Sequence, residues 1–210
     1  MQCVFVHGLG QPPASWDKVV AGLPLSAAEC PCPDLPRLLQ GRPVSYDSLY
    51  AAFCGYCEAF PRPIALCGLS LGAVLALHYA IDFPARVQAL ALIAPQYKMP
   101  ARLLRAQDIV FRLMPRRAFI GTGFQKEDLR RLTHSMAALD FSGSLGKVGC
   151  PTLVLCGEKD RANRKAAEGL ACLLPQGELA VVGGAGHEVN RDQPQRLAGI
   201  LAPFFAAHQG

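Results

Sequence analysis

The segment 64–83 joins a short apolar run directly to a helical pattern. It begins Ile-Ala-Leu-Cys-Gly-Leu-Ser-Leu-Gly-Ala, with Ser70 at the junction. A strand that reverses into a helix within one residue forces that residue into a strained conformation with positive φ. Gly68 and Gly72 lack the Cβ atoms that would otherwise collide across so tight a turn. The segment therefore predicts a strand–turn–helix unit that presents the Ser70 hydroxyl above the edge of a sheet.

Short apolar runs alternate with helical patterns along most of the remaining chain. Strands rich in Val, Leu and Ile with helices between them indicate a parallel sheet that is covered on both faces. We therefore expect an α/β fold, a three-layer α/β/α sandwich around a mostly parallel sheet of about six strands. The predicted strands are 3–6, a weak one at 28–32, 64–69, 87–93, 152–156 and 178–182, and the predicted helices are 14–21, 46–60, 71–83, 162–174 and 194–207.

One long segment, 96–147, interrupts this alternation. It carries two helical patterns, 101–113 and 125–139, with no clear strand between them. An insertion of this size after the carboxyl end of a strand is where α/β enzymes place a cap over the ligand crevice. We expect a single domain over 1–210 with a small helical cap at 96–147, in which His134 and Met114 contact the substrate.

Composition narrows the class of protein further. The first apolar run is too short for a signal peptide and no apolar stretch approaches the length of a membrane span, so we expect a cytoplasmic protein with no membrane span. Nine cysteines, an odd number scattered along the chain, are expected to be reduced thiols. A zinc site made by Cys30, Cys32, Cys54 and Cys57 is the alternative, although this spacing matches no common ligand pattern.

The net charge of +5 is concentrated in one part of the chain. Between Lys98 and Arg131, nine Lys or Arg residues stand against three acidic residues. A nucleic-acid surface would also need aromatic or groove-fitting elements, and nothing else in the sequence supports one, so we expect no nucleic-acid partner. Two interpretations remain open: a solvated helical face, which we favour, and a basic rim that attracts anionic substrates.

Two further segments place reactive side chains after predicted strands. Asp160 follows the strand 152–156, and His187 follows the strand 178–182 in a glycine-rich loop. Because the carboxyl ends of parallel strands meet at one edge of a sheet, we expect both side chains near Ser70. A hydroxyl becomes an effective nucleophile when an imidazole takes its proton, and a carboxylate orients and stabilises that imidazole. These residue types therefore indicate nucleophilic catalysis.

The first predicted strand ends in His-Gly-Leu-Gly, at residues 7–10. A backbone N–H in this loop is well placed to bind a developing oxyanion together with the N–H that follows the serine. The four motifs, in this order and on these elements, resemble the α/β-hydrolase family over essentially the whole chain. The resulting site prediction is a triad of Ser70, Asp160 and His187, an oxyanion hole from the backbone N–H groups of Leu9 and Leu71, and no metal.

The resemblance implies a serine hydrolase that needs no cofactor. It would cleave a small ester, thioester or related acyl compound through an acyl-enzyme, so its partner would be a small-molecule acyl substrate. Glu158 competes with Asp160 as the acid, and the position in the turn favours Asp160. Two other functions stay open: lyase or carbon–carbon bond hydrolase chemistry with the same triad, and a weakly catalytic ligand-binding sensor.

The chain departs from the family pattern at its first strand. Family members commonly carry an antiparallel hairpin before the strand that leads to His-Gly, whereas this sequence starts with that strand. One edge of the sheet is therefore expected to be short, near the weak strand 28–32. We expect loops or a second copy of the chain, as a homo-oligomer, to cover this edge.

Overall fold

One parallel sheet organises the structure. The computed structural model describes residues 1–100, 104, 109, 113 and 123–208. Within these residues five strands pair side by side in the order β1-β2-β3-β4-β5, and every pair is parallel. The strands are β1 (Cys3–Val6), β2 (Ile64–Leu69), β3 (Val87–Ile93), β4 (Thr152–Gly157) and β5 (Gly177–Val182).

Helices connect these strands and confirm the predicted α/β class. The described helices are α1 (Asp17–Val20), α2 (Leu35–Leu38), α3 (Tyr46–Glu58), α4 (Leu71–Asp82), α5 (Lys126–Ser135), α6 (Arg161–Leu173), α7 (Val189–Asp192) and α8 (Pro194–Ala207). The bounds of α4 and α6 differ from the predicted bounds by one residue, and α8 has the predicted bounds. Pro194 occupies the first turn of α8, where its missing N–H costs nothing.

The two faces of the sheet carry separate hydrophobic layers. In β1, Val4 and Val6 belong to the layer that α3, α4 and α6 cover, whereas Cys3 and Phe5 belong to the layer that α1 and α8 cover. This alternation follows from the two-residue period of a strand. Trp16 packs on Phe5 with ring centroids 5.2 Å apart. The arrangement is the three-layer sandwich that the sequence predicted.

The predicted strand at 28–32 is not formed. The segment lies beside β1, where the Phe5 N–H donates to the Pro31 carbonyl at 2.9 Å. Pro31 and Pro33 have no N–H to donate, so a regular ladder cannot continue along this edge. The sheet in the described residues has five strands, where the sequence predicted about six.

The cysteines are free thiols in the structure. Cys30 lies in the hydrophobic layer on one face of the sheet, and Cys57 lies in the layer on the other face. The described residues contain no group of three side chains that could hold a metal ion. No helix in the described ranges is long and apolar enough to span a membrane.

The segment 96–147 leaves and re-enters the fold at one place. The Met99 N–H donates to the Leu139 carbonyl at 2.9 Å, and the Phe141 N–H donates to the Tyr97 carbonyl at 2.8 Å. These bonds form a short antiparallel pairing at the base of the segment. The predicted helix 125–139 corresponds to α5. Met114 and most of the predicted helix 101–113 lie outside the described residues.

Candidate active site

Ser70 occupies the sharp turn between β2 and α4. Its backbone has φ 52° and ψ −109°, and its N–H donates to the Ile93 carbonyl at 2.9 Å. A Cβ on Gly68 would overlap the backbone of Gly72, and a Cβ on Gly72 would overlap the carbonyl of Val6. Both glycines are therefore required by close backbone packing, as the sequence motif predicted.

Of the two predicted oxyanion donors, Leu71 directly follows Ser70 in the chain and Leu9 lies in the loop after β1. Leu9 and Leu71 both line the cavity that Ser70 lines. Among the described residues, neither of their backbone N–H groups donates a hydrogen bond. The Leu71 N–H begins α4, where the helix dipole favours negative charge. Two N–H groups that have no acceptor among the described residues thus belong to residues that line the same cavity as the serine.

Asp160 and His187 are joined by a short hydrogen bond. The His187 Nδ1–H donates to Asp160 Oδ2 at 2.8 Å, which leaves Nε2 as the acceptor of the ring. Asp160 is only 6% exposed, whereas the His187 side chain is 44% exposed. A Cβ on Gly157 would overlap the Gly186 carbonyl, so the end of β4 and the histidine loop pack backbone against backbone. This packing brings the acid and the histidine together.

The competing acid, Glu158, serves a different purpose. Its Oε2 accepts from the Gly184 N–H at 2.7 Å on the exposed side of the same loop. Glu158 thus holds the loop that carries His187, and Asp160 holds the imidazole itself. Of the two carboxylates, Asp160 is the one that the structure places within hydrogen-bond distance of His187.

The pKa of Asp160 is shifted by opposing influences. Burial of the carboxyl group raises its pKa, but the hydrogen bonds from His187 and Asn163 and the nearby imidazole lower it, and the net pKa lies below the ordinary value. The group is therefore a carboxylate at neutral pH. It can stabilise a protonated His187 without taking the proton itself.

Asn163 and Gln96 also belong to the site, and the sequence prediction missed them. The Asn163 Nδ2 group donates to both carboxylate oxygens of Asp160, at 2.9 Å each. Its Oδ1 accepts from Gln96 Nε2 at 2.7 Å. The sequence did contain a signal for Asn163. Asp160 is the N-cap residue of α6 and accepts from the Asn163 N–H at 3.3 Å, and an N-cap side chain commonly bonds to the N–H three residues later.

A cavity of about 410 Å³ connects these groups. Ser70 and His187 both line it, although the described residues show no hydrogen bond between their side chains. Such bonds are often long before substrate binds. The rest of the described lining is largely apolar and includes Leu9, Val74, Met99, Pro100, Leu104 and Met136.

The position of His134 in α5 does not support the predicted contact with the substrate. His134 is exposed and does not line this cavity, whereas its neighbour Thr133 is 3% exposed and does. In α5, the buried positions 129, 132, 133 and 136 follow the helical period, which turns residue 134 to the solvent. The same period was readable in the sequence. The other predicted contact, Met114, lies outside the described residues.

A buried amide pair links the two loops beside the cavity. Gln11 follows the His-Gly-Leu-Gly loop, and Asn190 follows His187. Gln11 Nε2 donates to Asn190 Oδ1 at 3.3 Å, and Asn190 Nδ2 donates to Gln11 Oε1 at 3.1 Å. Both residues are 1% exposed. The reciprocal bonds fix the loop that carries Leu9 relative to the loop that carries His187.

A parallel sheet with a strained serine turn and an Asp–His pair at the carboxyl ends of its strands defines an α/β enzyme fold. The model of the alpha/beta hydrolase family matches residues 3–200. The chain belongs to the alpha/beta hydrolase family.

Individual relatives are more distant. The chain is 26% identical to the biotin biosynthesis bifunctional protein BioHC of Cellvibrio japonicus (strain Ueda107), a match that covers 96% of this chain and 47% of that protein. It is 25% identical to the pimeloyl-[acyl-carrier protein] methyl ester esterase of Stenotrophomonas maltophilia (strain K279a), with 73% of each chain covered. The chain thus spans about half the length of the first relative.

A solved structure agrees in fold. A thermophilic esterase from Thermogutta terrifontis superposes with a TM-score of 0.77 at 19% identity, and the match covers 100% of this chain and 91% of that chain. At this identity the likeness concerns the fold.

Proposed function

We propose that the protein is a serine hydrolase that cleaves a small ester or thioester through an acyl-enzyme. The observation that carries this proposal is the 2.8 Å hydrogen bond from His187 to Asp160 at the cavity that Ser70 also lines. The strained backbone of Ser70 supports it, because nucleophilic serines of this fold occupy such a turn. Two of the relatives described above are named as esterases, which agrees with the proposal.

The first half of the reaction acylates the serine. Ser70 Oγ attacks the carbonyl carbon of the ester while its proton moves to His187 Nε2. The carbonyl oxygen becomes an oxyanion that accepts from the Leu9 and Leu71 N–H groups, each worth about 3 kcal/mol in such sites. The bond from the carbon to the leaving oxygen or sulfur then breaks. The leaving alcohol or thiol takes the proton from His187.

The second half releases the acid. A water molecule gives a proton to His187 Nε2 as its oxygen attacks the acyl carbon, and the same N–H groups bind the new oxyanion. The bond to Ser70 Oγ breaks, and the serine recovers its proton from His187. Asp160 stays ionised throughout and holds the imidazole in one orientation.

The cavity supports a small and largely uncharged acyl group. No Lys or Arg occurs in the described part of its lining. Lys98, at the start of the basic stretch, is exposed and pairs with Asp140 at 2.9 Å. Most of the basic stretch lies outside the described residues, so both interpretations of it stay open. We further propose that the segment 96–147 is the cap of a single domain, since Met99, Thr133 and Met136 reach the cavity from it.

Labelling with a fluorophosphonate tests the triad directly. Ser70 Oγ would attack the phosphorus, fluoride would leave, and the hydroxyl proton would pass to His187. Mass mapping should find the adduct on Ser70 in the wild-type protein and none on Ser70→Ala. Labelling of His187→Ala should be slower by about 10³-fold or more.

Two outcomes would contradict the proposed function. If the folded wild-type protein is not modified at Ser70, Ser70 is not the nucleophile. Modification at Ser70 without turnover of a panel of short-chain p-nitrophenyl esters and thioesters would exclude hydrolysis, and would favour the lyase or sensor alternatives.

A further inference from the structure

Asp160 receives hydrogen bonds from an amide as well as from the histidine. Asn163 Nδ2 lies 2.9 Å from each carboxylate oxygen. A carboxylate only accepts, so the atom at this place must be the nitrogen of the amide and not its oxygen. Because one group holds both oxygens, the carboxylate cannot rotate without losing two hydrogen bonds. Asn163 thereby fixes Oδ2 where the His187 Nδ1–H meets it.

Gln96 fixes the orientation of that amide. It follows β3, whereas Asp160 follows β4, so Gln96 reaches the acid from a different strand. Its Nε2 donates to Asn163 Oδ1 at 2.7 Å. A reversed Asn163 would place a carbonyl oxygen against the carboxylate and its NH₂ group against the donor of Gln96, and both contacts would be repulsive.

The contacts of His187 agree with this arrangement. Asn163 Nδ2 lies 3.1 Å from His187 Nδ1, and both nitrogens lie within 2.9 Å of Asp160 Oδ2. Two donors thus share one carboxylate oxygen, and the imidazole is held with Nε2 as its proton acceptor. Neither amide changes protonation near neutral pH, so the chain of bonds is a fixed support and not a proton path.

We propose that Gln96 and Asn163 are positioning residues that act in series, Gln96 on Asn163 and Asn163 on Asp160, to keep His187 in its catalytic orientation. The proposal rests on the proposed function, since it assigns a purpose to residues that support the triad. Because Gln96 acts only through Asn163, a substitution at Gln96 should affect the reaction only while Asn163 is present.

The test is a double-mutant cycle with fluorophosphonate labelling as the readout. The rate constant for labelling of Ser70 is measured against pH for the wild type, Asn163→Leu, Gln96→Met and the double variant. We expect Asn163→Leu to label about tenfold more slowly and Gln96→Met about threefold more slowly. In the Asn163→Leu background, Gln96→Met should have no further effect.

The pH profile separates positioning from a purely structural role. Without the two bonds from Asn163, the Asp160 carboxylate interacts more strongly with a protonated imidazole. The acidic limb of the labelling profile should therefore move to higher pH in Asn163→Leu. The thermal unfolding midpoint of each variant, followed by circular dichroism, shows whether the fold is retained.

A second variant keeps the test decisive if Asn163→Leu does not fold. Gln96→Glu has nearly the same shape but offers an acceptor in place of the N–H, which should turn the Asn163 amide and place its oxygen against Asp160. It should label more slowly than Gln96→Met. Wild-type rates in Gln96→Glu would overturn the proposal, and so would equal effects of Gln96→Met in both backgrounds. If Ser70 of the wild type is not labelled, the proposed function fails. If the wild type is labelled and the variants are labelled at the same rate, only the positioning proposal fails.

A separate observation concerns the substrate. Thr133 is 3% exposed, its hydroxyl has no hydrogen-bond partner in the part of the chain that the structure describes, and the residue lines the cavity with Ser70. A buried hydroxyl without a partner is costly. Apart from Thr133, the polar side chains of the described wall are Ser70, Asp160, His187, Gln96 and Asn163, and the last four are joined by hydrogen bonds to one another. We infer that Thr133 binds an oxygen atom carried by the acyl group of the substrate, beyond the scissile carbonyl. This inference also rests on the proposed function.

Matched esters test this inference. The kcat/KM values of p-nitrophenyl hexanoate and its 4-oxo and 5-oxo analogues are compared for the wild type, Thr133→Val and Thr133→Ser. The value for one oxo ester, relative to hexanoate, should fall about fivefold in Thr133→Val and persist in Thr133→Ser. Unchanged ratios in Thr133→Val for both oxo esters would overturn the inference. Absence of turnover of all three esters by a wild type that is labelled at Ser70 would instead count against the proposed function.

Discussion

The turns after β2 and β3 follow neighbouring strands, and each contains a residue with positive φ. Ser70 has φ 52° after β2, and Ala94 has φ 48° after β3. Each N–H donates to the next strand of the sheet, from Ser70 to the Ile93 carbonyl at 2.9 Å and from Ala94 to the Leu155 carbonyl at 2.8 Å. Positive φ at the edge of the sheet is therefore not special to the serine.

The two turns differ in what surrounds them. After β2 the chain enters α4 at once, and Gly72 packs so closely on Val6 that no Cβ fits. After β3 the chain runs instead into the segment 96–147. The comparison shows that close backbone packing around the turn, more than strain at one residue, distinguishes the place where the serine lies.

The largest expected effect comes from exchanging the residues of the two turns. Ser70→Ala should lower kcat by about 10⁶-fold, since the nucleophile is lost. The double variant Ser70→Ala with Ala94→Ser should be equally inactive, because a strained backbone alone does not supply a nucleophile with its base. Steady-state ester hydrolysis measures both. Recovery of activity in the double variant would contradict the conclusion that positive φ alone does not distinguish the position of Ser70.

The next effect is on stability. Gly72→Ala should reduce the free energy of unfolding by about 3 kcal/mol or more, because the new Cβ would overlap a backbone carbonyl that cannot move aside. Urea denaturation measures the loss. Gly55→Ala is the matched control: Gly55 is exposed within α3 with open space at its Cβ position. It should raise stability by about 0.5–1 kcal/mol. Equal effects at the two sites would show that close backbone packing at Gly72 does not stabilise the turn after β2.

Asp160, which follows β4, should make the stability of the fold depend on pH. The pKa of Asp160 is lowered in the folded protein, so its carboxylate stabilises the fold above the unfolded pKa of about 3.9. This stabilisation is lost as the pH falls through the lower folded pKa. Wild type should therefore be more stable than Asp160→Asn at pH 6, and the difference should shrink below about pH 4. Urea denaturation at several pH values measures it, and a difference that grows toward acid pH would contradict it.

The smallest effect concerns strain alone. Ser70→Gly should be more stable than Ser70→Ala by about 0.5–1 kcal/mol, because glycine adopts positive φ without a steric cost. Ala94→Gly should gain less over wild type, since it also removes a methyl group from a buried position. Chemical denaturation of the three variants compares the two turns directly. A loss of stability in Ser70→Gly relative to Ser70→Ala would show that the turn is not strained.

The strand ends were predictable because their signals are local. Ser70, Asp160 and His187 each follow an apolar run, and parallel pairing brings such positions to one edge. The strand at 28–32 was predicted wrongly because the prediction relied on the apolar residues of this segment. It gave too little weight to Pro31 and Pro33, which cannot donate the backbone hydrogen bonds of a regular ladder.

The supporting residues were harder to predict. Gln96 meets Asn163 only because β3 and β4 are neighbours in the sheet, and their contact spans 67 residues of sequence. Amide–amide contacts of this kind have no fixed spacing along a chain. The position of Thr133, by contrast, could have been predicted from the sequence. The helical period of α5 places Thr133 on the buried face of the helix and His134 on the exposed face.

The short antiparallel pairing at the base of 96–147 makes this segment separable from the sheet. Its ends meet at Lys98 and Asp140, which form an antiparallel bridge and an ion pair of 2.9 Å. Since closing a loop depends only weakly on its length, segments of other lengths could be joined at this base at a cost of about 0.6 kcal/mol per doubling. Evolution, or an engineer, could thus exchange the proposed cap while Ser70, Asp160 and His187 stay as they are.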